Sequence, residues 1–207
     1  MAVIKPSFDI ERSFSGLFTG PIAGIDEAGR GPWAGPVVAA AVILNPADVP
    51  AGLADSKTIS EKKRDVIAAE IRAKAQIGVG MASVEEIDAI NILQATFLAM
   101  ARAEAALPIQ PDICIVDGSQ KPKLKAHAEM VVKGDAKSLS IAAASIIAKT
   151  VRDDLMRALA CEHPFYAWEK NKGYGAPAHR AGLVAHGVTP HHRKSFAPIH
   201  NMLCADT

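Results

Sequence analysis

Residues 24–36 of the chain read G-I-D-E-A-G-R-G-P-W-A-G-P. Two adjacent carboxylates, Asp26 and Glu27, follow the apolar run of residues 22–25, and a Gly-Arg-Gly turn with two Gly/Pro breaks comes directly after them. Such a stretch is poorly suited to a core, because the strand ends in charge and then turns on glycine. It can instead bring metal ligands, backbone N–H groups and the cation of Arg30 to one place. We therefore predict a functional site here.

Apolar runs around this stretch predict the strands of a sheet. Strands are expected at residues 21–26, 37–44 and 76–81, and residues 1–19 show no firm pattern. A helix is expected at 60–75, because this segment carries an apolar stripe and begins at Ser60, which can act as a cap. Three strands in this order could form a meander.

The second half of the chain combines long helices with two more short strands. Ser83 and Glu86 form a capping box that opens a helical region ending at residue 107. The segment 138–159 is rich in Ala and Ile, and its centre is apolar nearly all round, so this helix should cross the core. Strands are expected at 113–116 and at 130–132.

The composition indicates one main domain. The 207 residues, 49% of them hydrophobic, are enough for one well-buried domain with a small appendage. We expect a lead-in at 1–19, a main domain at 20–165 and a basic helical appendage at 166–207. Three scattered cysteines without a CxxC pair favour a reducing compartment, and the sequence has neither a signal-peptide core nor a membrane-length apolar run. The chain is therefore expected to be a soluble, cytoplasmic monomer.

The C-terminal part of the chain is basic, although the total charge is nearly balanced at 23 Lys+Arg against 22 Asp+Glu. Between residues 170 and 205 there is no Asp or Glu. Such a tail would suit a polyanion, but a merely solvated basic end would leave the same pattern. Its basic residues are Lys170, Lys172, Arg180, Arg193 and Lys194.

Three of the predicted strands run into carboxylates, which are Asp26 with Glu27, Asp117, and Asp135. In α/β sheets, functional sites form where strand ends meet. Four carboxylates at one place repel each other by roughly 1 kcal/mol per pair in water and about 4 kcal/mol near a protein surface, so such a cluster requires divalent cations. Ligation by oxygen alone favours Mg²⁺ or Mn²⁺, and two such ions suit phosphodiester cleavage. Singly, Asp117-Gly118 could be an ordinary turn and Asp135 could cap the next helix.

Further motifs accompany these acids in a fixed order. They are D-S-K at 55–57, E-I-D-A-I-N-I-L-Q-A-T at 86–96, V-D-G at 116–118, K-G-D at 133–135, S-I-A-A-A-S-I-I-A-K-T-V-R-D at 140–153, K-G-Y-G at 172–175 and H-H-R-K-S-F at 191–196. With residues 24–36, this set resembles bacterial ribonuclease HII, a type 2 ribonuclease H, across residues 22–199. The first motif and the long helix are highly specific, and no motif position departs from the family pattern.

The resemblance implies an α/β, ribonuclease H-like fold, with a mixed five-stranded sheet flanked by helices and a small helical C-terminal appendage. It implies an endonuclease that hydrolyses the RNA strand of RNA–DNA hybrids and incises 5′ of single ribonucleotides embedded in duplex DNA, leaving 5′-phosphate and 3′-OH. The implied partner is nucleic acid, with no membrane, and two Mn²⁺ or Mg²⁺ ions would work in the site. By motif position, the catalytic and metal-binding carboxylates would be Asp26, Glu27, Asp117 and Asp135.

By the same resemblance, Gly29, Arg30, Gly31 and Tyr174 would select ribonucleotides. RNA differs from DNA at the site only by the 2′-OH, and glycine lets a backbone approach a sugar closely because no Cβ intervenes. We hypothesise that Arg30 grips a flanking phosphate, and that Tyr174 packs on the sugar at the RNA–DNA junction. Lys57, in the D-S-K loop, could contact phosphate or simply lie on the surface.

Two other features have open interpretations. Lys149 and Asp153 are four residues apart on a helix, so a local ion pair is the simpler explanation. His191 and His192 could bind metal, but a duplex-facing or merely polar role is favoured.

Other functions would produce related patterns. Another metal-dependent nuclease or strand-transferase of the same fold would share the acids, but it would not need a turn and a tyrosine that sense a 2′-OH. A non-catalytic nucleic-acid-binding module would bind in a salt-sensitive manner without metal-dependent cleavage, and four intact carboxylates argue against it. A nucleotide-binding protein is disfavoured, because neither G-x-x-x-x-G-K-[ST] nor G-x-G-x-x-G is present.

Overall fold

The computed structural model describes residues 5–14, 16–56 and 58–205 of the chain. The strands are β1 (Ile22–Ala28), β2 (Val37–Ile43), β3 (Gln76–Ala82), β4 (Ile113–Asp117) and β5 (His127–Val131). The helices are α1 (Asp9–Ser13), α2 (Glu61–Lys74), α3 (Val84–Ala105), α4 (Leu139–Glu162), α5 (Trp168–Asn171), α6 (Pro177–His186) and α7 (Ala197–Ala205). Short 3-10 turns, Gly134–Ala136 and Pro164–Tyr166, lie on either side of α4.

The five strands form one mixed sheet in the order β3-β2-β1-β4-β5. β2 pairs antiparallel with both β1 and β3, whereas β4 pairs parallel with both β1 and β5. The predicted mixed sheet and the meander of its first three strands are therefore confirmed. Because β1 and β4 are parallel neighbours at the centre, their carboxyl ends meet at one edge of the sheet.

Helices cover both faces of this sheet, with α3 on one face and α2 and α4 on the other. Small residues let the helices come close. A Cβ on Gly24 of β1 would overlap the backbone of Ser140 in α4, and a Cβ on Gly80 of β3 would overlap the backbone of Ala99 in α3. α4 therefore crosses the core directly over β1, as its apolar sequence predicts.

Serine caps begin two of the helices as the sequence predicts. The Ser83 hydroxyl accepts from the Glu86 N–H at 3.2 Å and the Glu86 carboxylate accepts from the Ser83 N–H at 2.9 Å, which confirms the capping box. The Ser138 hydroxyl accepts from the Ile141 N–H at 3.1 Å at the start of α4. Ser60 occupies the position before α2, but its side chain makes no capping hydrogen bond.

Helix α3 is interrupted at Asn91, which the sequence does not predict. Asn91 has φ 66° and ψ 163°, a conformation outside the helical region that few residues other than glycine adopt. Its side-chain oxygen accepts hydrogen bonds from the N–H groups of Leu93 and Gln94, at 3.0 and 3.2 Å. Asn91 therefore caps a second helical segment, which continues to Ala105.

The N-terminal residues contain a short helix where the sequence suggests no firm pattern. α1 has five residues, too few to show an apolar period, and its central Glu11 is buried. One Glu11 oxygen accepts from the Ser138 hydroxyl at 2.7 Å and from the Ser140 N–H at 3.0 Å. α1 is thus held at the start of α4 by a contact between residues distant in sequence.

The C-terminal residues form the expected small helices, α5 to α7. Trp168, Tyr166, Leu183 and Ile199 pack into a third apolar cluster together with Met156 of α4. The proposed division of the chain at residues 165 and 166 stays a prediction. In the described part of the chain, no helix has the length and hydropathy that crossing a bilayer requires.

Candidate active site

The register of β1 against β4 places two of the predicted acids side by side. Ile25 pairs with Val116, so the next residues, Asp26 and Asp117, are neighbours on adjacent strands. The pairing of β1 with β2 continues past these acids to Ala28, which lies opposite Val38. Asp26 and Glu27 therefore lie inside β1 and not at its end, which corrects the prediction.

Asp26 is the most buried of the four acids, with 5% of its surface exposed. Its carboxylate accepts from the Glu27 N–H at 2.7 Å. Burial, followed by the negative charges of Glu27 and Asp117, raises the pKa of Asp26 well above its usual value, while hydrogen bonds from Glu27 and Ser145 oppose this shift. A cation beside these groups would reverse the effect, because it favours the ionised carboxylate.

Asp135 reaches this region through a turn and not through a strand end, which is a second correction. β5 ends at Val131, and Lys133, with φ 56°, turns the chain into the 3-10 turn that carries Asp135. The N–H of Gly134 donates to the Asp117 carboxylate at 2.6 Å. This bond ties the turn to the end of β4. Asp135 is the residue after Gly134 and is buried, with 7% of its surface exposed.

The charges of Glu27 and Asp117 act on Asp26, and Asp135 follows Gly134, whose N–H is bonded to Asp117. Within the described residues, no three of these four acids offer carboxylate oxygens that all lie within 4.8 Å of one another. Their chemistry nevertheless fits a hard divalent cation, because every donor is a carboxylate oxygen and the charges of Glu27 and Asp117 act on buried Asp26. The residues present therefore fit the predicted Mg²⁺ or Mn²⁺ ions.

The 29–31 turn that follows β1 is held by the guanidinium of Arg193. Arg193 is fully buried and donates to the carbonyl of Gly29 at 2.5 Å, to that of Arg30 at 3.0 Å, and to that of Gly35 at 2.8 and 2.9 Å. Burial lowers the pKa of Arg193 to about 9, so it remains a cation at neutral pH. Carbonyl oxygens thus compensate a buried charge and fix the turn.

A second buried arginine, Arg152 of α4, holds the segment that follows the turn. It donates to the carbonyls of Pro36, Lys172 and Ala34 at 2.9, 2.9 and 3.0 Å. Gly29, with φ 99°, leaves room for this side chain, because a Cβ at position 29 would overlap Arg152. The sequence does not indicate that either arginine is buried, because the carbonyls that accept from them come from segments distant in sequence.

Tyr174 lies opposite the 29–31 turn. The Trp33 N–H donates to the carbonyl of Gly173 at 2.8 Å, which ties the K-G-Y-G loop to the segment after the turn. A Cβ on Gly31 would come within 3.3 Å of the Tyr174 ring, so the two residues are close neighbours. The ring is 53% exposed and can contact a ligand.

One cleft, here called the turn cleft, unites several of the predicted residues. Glu27, the 29–31 turn and Tyr174 all line it. It also contains residues that sequence reasoning did not assign to a site, namely Ser56, Ser145, Lys149 and Arg152. The predicted Lys57 lies outside the described residues.

A second depression, here called the strand-end cleft, adjoins the first. Asp117 and Gly118 line it together with side chains from the second segment of α3. Glu27 and Arg30 line both clefts and form an ion pair at 3.3 Å. The pair therefore stands between the predicted selectivity residues and Asp117.

Lys149 combines the predicted ion pair with a place in the turn cleft. Its ammonium group contacts Asp153, as predicted, and Asp153 also pairs with Arg64 at 2.8 Å. Burial lowers the pKa of Lys149, while Asp153 opposes the shift. The i,i+4 spacing predicted the pair but gave no indication that the same lysine faces a cleft.

The basic C-terminal part offers less cationic surface than its sequence suggests. Arg193 is buried against carbonyls, and Lys172 is 7% exposed with its ammonium group on the Glu169 carbonyl at 2.6 Å. These two cations are therefore not surface charges that a polyanion could contact, and contact with the rest of the basic tail stays a prediction. Lys170, Arg180 and Lys194 are exposed.

His192 has the merely polar role and does not face solvent. It is fully buried, 3.0 Å from His179, and its other ring nitrogen accepts from the Thr189 N–H at 2.9 Å. His191 is only partly buried, and its ring centroid lies 5.0 Å from that of His163.

Comparisons with known proteins agree with this geometry. Residues 23–199 match the family described as Ribonuclease HII. The Ribonuclease HII of Jannaschia sp. (strain CCS1) is 56% identical over 96% of this chain and 98% of that protein. The crystal structure of ribonuclease H2 from Pyrococcus horikoshii OT3 is 26% identical, with a TM-score of 0.75 over 87% of this chain and 96% of that one. Bst-RNase HIII, solved in complex with Mn²⁺, shares the fold at 22% identity, with a TM-score of 0.75 over 92% of this chain and 71% of that one.

The family match extends from β1 to α7 and includes each motif on which the resemblance rests. In the structure, these motifs supply the central pair of acids, Asp26 and Asp117, and several residues of the turn cleft. The chain belongs to the ribonuclease HII family, and it is an endoribonuclease that acts on the RNA of RNA–DNA hybrids.

Proposed function

We propose that the chain also incises duplex DNA on the 5′ side of a single embedded ribonucleotide, using two divalent ions, Mn²⁺ or Mg²⁺, and leaving 5′-phosphate and 3′-OH ends. The observation that supports this most strongly is that the 29–31 turn and Tyr174 line the same cleft as Glu27. Selectivity for a ribose and the chemistry of cleavage would then occur at one place. We assign the ions to Asp26, Glu27, Asp117 and Asp135.

The turn would read the 2′-OH through its backbone. The carbonyls of Gly29 and Arg30 accept from Arg193, and none of the peptide bonds in the described residues is cis. In a trans peptide, the N–H points opposite to the carbonyl, so the N–H groups of Arg30 and Gly31 point away from Arg193. These are the donors that we assign to the 2′-oxygen, since no Cβ at Gly31 separates the backbone from a sugar.

The cations of the turn cleft would position the phosphates. The Arg30 side chain is 49% exposed, so it would be able to turn from Glu27 to a phosphate when substrate binds. Lys149 lies on another wall of the same cleft and would contact a second phosphate. These contacts would fix the register of the strand and contribute affinity that is independent of base sequence.

Tyr174 would recognise the nucleotide that follows the ribose. Its exposed ring is close to Gly31, so a sugar held by the turn places its neighbour against the tyrosine. An apolar ring face suits a deoxyribose, whereas the hydroxyl of a second ribose would clash there. The tyrosine would therefore favour RNA–DNA junctions over the interior of an RNA tract.

The acids would set up the scissile phosphate. Divalent ions supply neutralisation of the phosphate charge and activation of water when they are bound to such carboxylates. Gly134 holds the Asp117 carboxylate, and Ser145 and the Glu27 N–H hold that of Asp26. These bonds keep both ligands oriented before substrate arrives, which reduces the reorganisation needed for cleavage.

Four duplexes of one sequence test the proposal: all DNA, one ribonucleotide, four consecutive ribonucleotides, and a full RNA strand opposite DNA. With Mg²⁺ or Mn²⁺, we expect incision 5′ of the single ribonucleotide, with ends that a polymerase extends and a ligase joins, and no cut in all-DNA duplex. Tyr174→Ala should reduce cleavage of the single-ribonucleotide duplex relative to the full hybrid. Phe165→Ala removes an equally exposed ring outside the cleft and serves as the control. Cleavage of the hybrid alone would contradict the proposal.

A further inference from the structure

We propose that Glu162, His163 and His191 form a second metal site, for Zn²⁺ or a related borderline transition metal ion, apart from the four-carboxylate cluster. The three side chains come from the end of α4 and from the segment between α6 and α7. Each of the three offers one ligand atom, and these atoms all lie within 4.8 Å of one another; the described part of the chain contains no other group of three or more His, Cys, Asp or Glu residues that does so.

The distances are close to those of a zinc site. Zinc bonds of about 2.0–2.1 Å in a tetrahedron place neighbouring ligand atoms about 3.4 Å apart. Because no two of the ligand atoms here are more than 4.8 Å apart, the closure that an ion requires is at most about 1.4 Å, which a side-chain rotation can supply. Glu162 is exposed and free to make that rotation on the last turn of its helix.

The two imidazoles are held in place by their surroundings. The N–H of His163 donates to the Leu159 carbonyl at 2.9 Å, and the carbonyl of His191 accepts from the Gly35 N–H at 2.9 Å. Both rings stand edge-on to buried Trp168, with centroid distances of 5.6 Å for His163 and 6.2 Å for His191. A ligand pair held in this way loses little conformational freedom when it binds an ion.

The ring nitrogens of this pair remain available. Among the residues that the structure describes, neither the His163 ring nor the His191 ring makes a hydrogen bond to another group, in contrast to His179 and His192. Both histidines are only partly buried, so an ion can reach them from solvent. Two imidazoles with open nitrogens are unusual in a fold whose other buried histidines are fully bonded.

The charge and the donor set select the kind of ion. Glu162 supplies a carboxylate, and Glu85 on α3 adds a second negative charge near His191. Two nitrogens and one oxygen suit Zn²⁺, with a fourth position left for water or Glu85, whereas Mg²⁺ and Mn²⁺ prefer oxygen alone. The two sites would therefore take different metals from the same solution.

An ion at this position would act on the 29–31 turn. Arg193 follows His191 by two residues and holds the carbonyls of Gly29 and Arg30. The ion would join the end of α4 to the segment that carries Arg193, and so restrain the support of the turn. We expect bound Zn²⁺ to stabilise the folded protein, since it binds a preformed site that the unfolded chain lacks.

Zinc binding to the full chain tests the proposal independently of cleavage. The protein carries Cys161→Ser and Cys204→Ser to remove the exposed thiols, is freed of metal, and is titrated with Zn²⁺ in millimolar Mg²⁺ by calorimetry. We expect one saturable site and a higher melting temperature, and Co²⁺ in the same site should show the intense visible absorption of four-coordinate cobalt.

Variants locate the site. His163→Gln and His191→Gln should each weaken Zn²⁺ binding at least about tenfold and abolish the cobalt absorption. His186→Gln, an exposed histidine of α6, is the control and should bind as the parent does. Glu162 is exposed, so Glu162→Gln should fold. It tests whether this group binds the ion even if the histidine variants fail to fold. No saturable binding in the parent, or unchanged affinity in both His163→Gln and Glu162→Gln, would overturn the proposal.

Discussion

At the scale of single residues, the environment of Asp26 indicates why the four acids would be paired with divalent cations. Its burial and the nearby charges of Glu27 and Asp117 raise its pKa, so the ionised form of Asp26 is electrostatically unfavourable unless a cation lies beside it. The sequence predicted the identity of these acids, because each follows an apolar run. It could not predict the hydrogen bonds that hold Asp26 and Asp117, because the donors, Ser145 of α4 and Gly134, are distant in sequence.

Arg30→Ala is the residue-scale test of phosphate contact. Removing this half-exposed cation should lower cleavage of single-ribonucleotide and hybrid substrates by about tenfold or more, since one charge-assisted hydrogen bond contributes about 1.5–3 kcal/mol. Steady-state kinetics on both substrates measures the effect. Arg72→Ala removes an exposed arginine from α2, outside the turn cleft, and is the matched control. Equal kinetics for Arg30→Ala and the control would remove Arg30 from its proposed role.

At the scale of elements, the sequence predicted every strand and the long helices, but not how the segments are held together. Alternating apolar runs and caps are local features, and they located β1 to β5 within a few residues. The break at Asn91 and the true start of β5 at His127 depend on contacts between distant segments, which leave no period in the sequence. Arg193 illustrates the same limit, because its place in a basic tail suggests surface charge, whereas the side chain is buried and holds the 29–31 turn.

Arg193→Lys tests that support at the element scale. Lysine keeps the charge but lacks the planar fork, so several of the carbonyls at Gly29, Arg30 and Gly35 lose their donor. We expect a loss of about 2–4 kcal/mol in the free energy of unfolding, measured by urea denaturation, together with weaker discrimination between ribose and deoxyribose. Lys194→Ala, at the exposed neighbouring position, should change neither quantity. A variant as stable and selective as the parent would show that the turn holds its own shape.

At the scale of the whole molecule, the reactivity of the cysteines measures how well the core around β4 is protected from solvent. Cys114 in β4 is fully buried, and burial, followed by the charge of Glu104, raises its thiol pKa to about 12. Cys161 and Cys204 are exposed. We expect a thiol reagent to modify two cysteines rapidly in the native protein and the third only after unfolding. Rapid modification of all three would mean that the core around β4 opens readily.

The same thiol gives a pH dependence of stability with a definite sign. The folded state retains the Cys114 proton up to a pKa of about 12, whereas the unfolded chain loses it near the ordinary value of 9.0. The contribution of this group is therefore fully present below pH 9 and is lost as the pH rises toward 12. Denaturation at increasing pH, compared with Cys114→Ala, isolates the contribution.

In the proposed active site, acids from two adjacent strands, β1 and β4, and from the 133–135 turn act as one metal-dependent centre. Asp117→Asn keeps the shape of the side chain and its bond with the Gly134 N–H, but it removes the negative charge. The decisive measurement compares this variant with the parent for binding and for incision of the single-ribonucleotide duplex, across a titration of Mg²⁺ and Mn²⁺. We predict that the dissociation constant for the duplex changes little while incision falls by at least about a thousandfold. An Asp117→Asn enzyme that cuts at close to the parental rate would contradict the account.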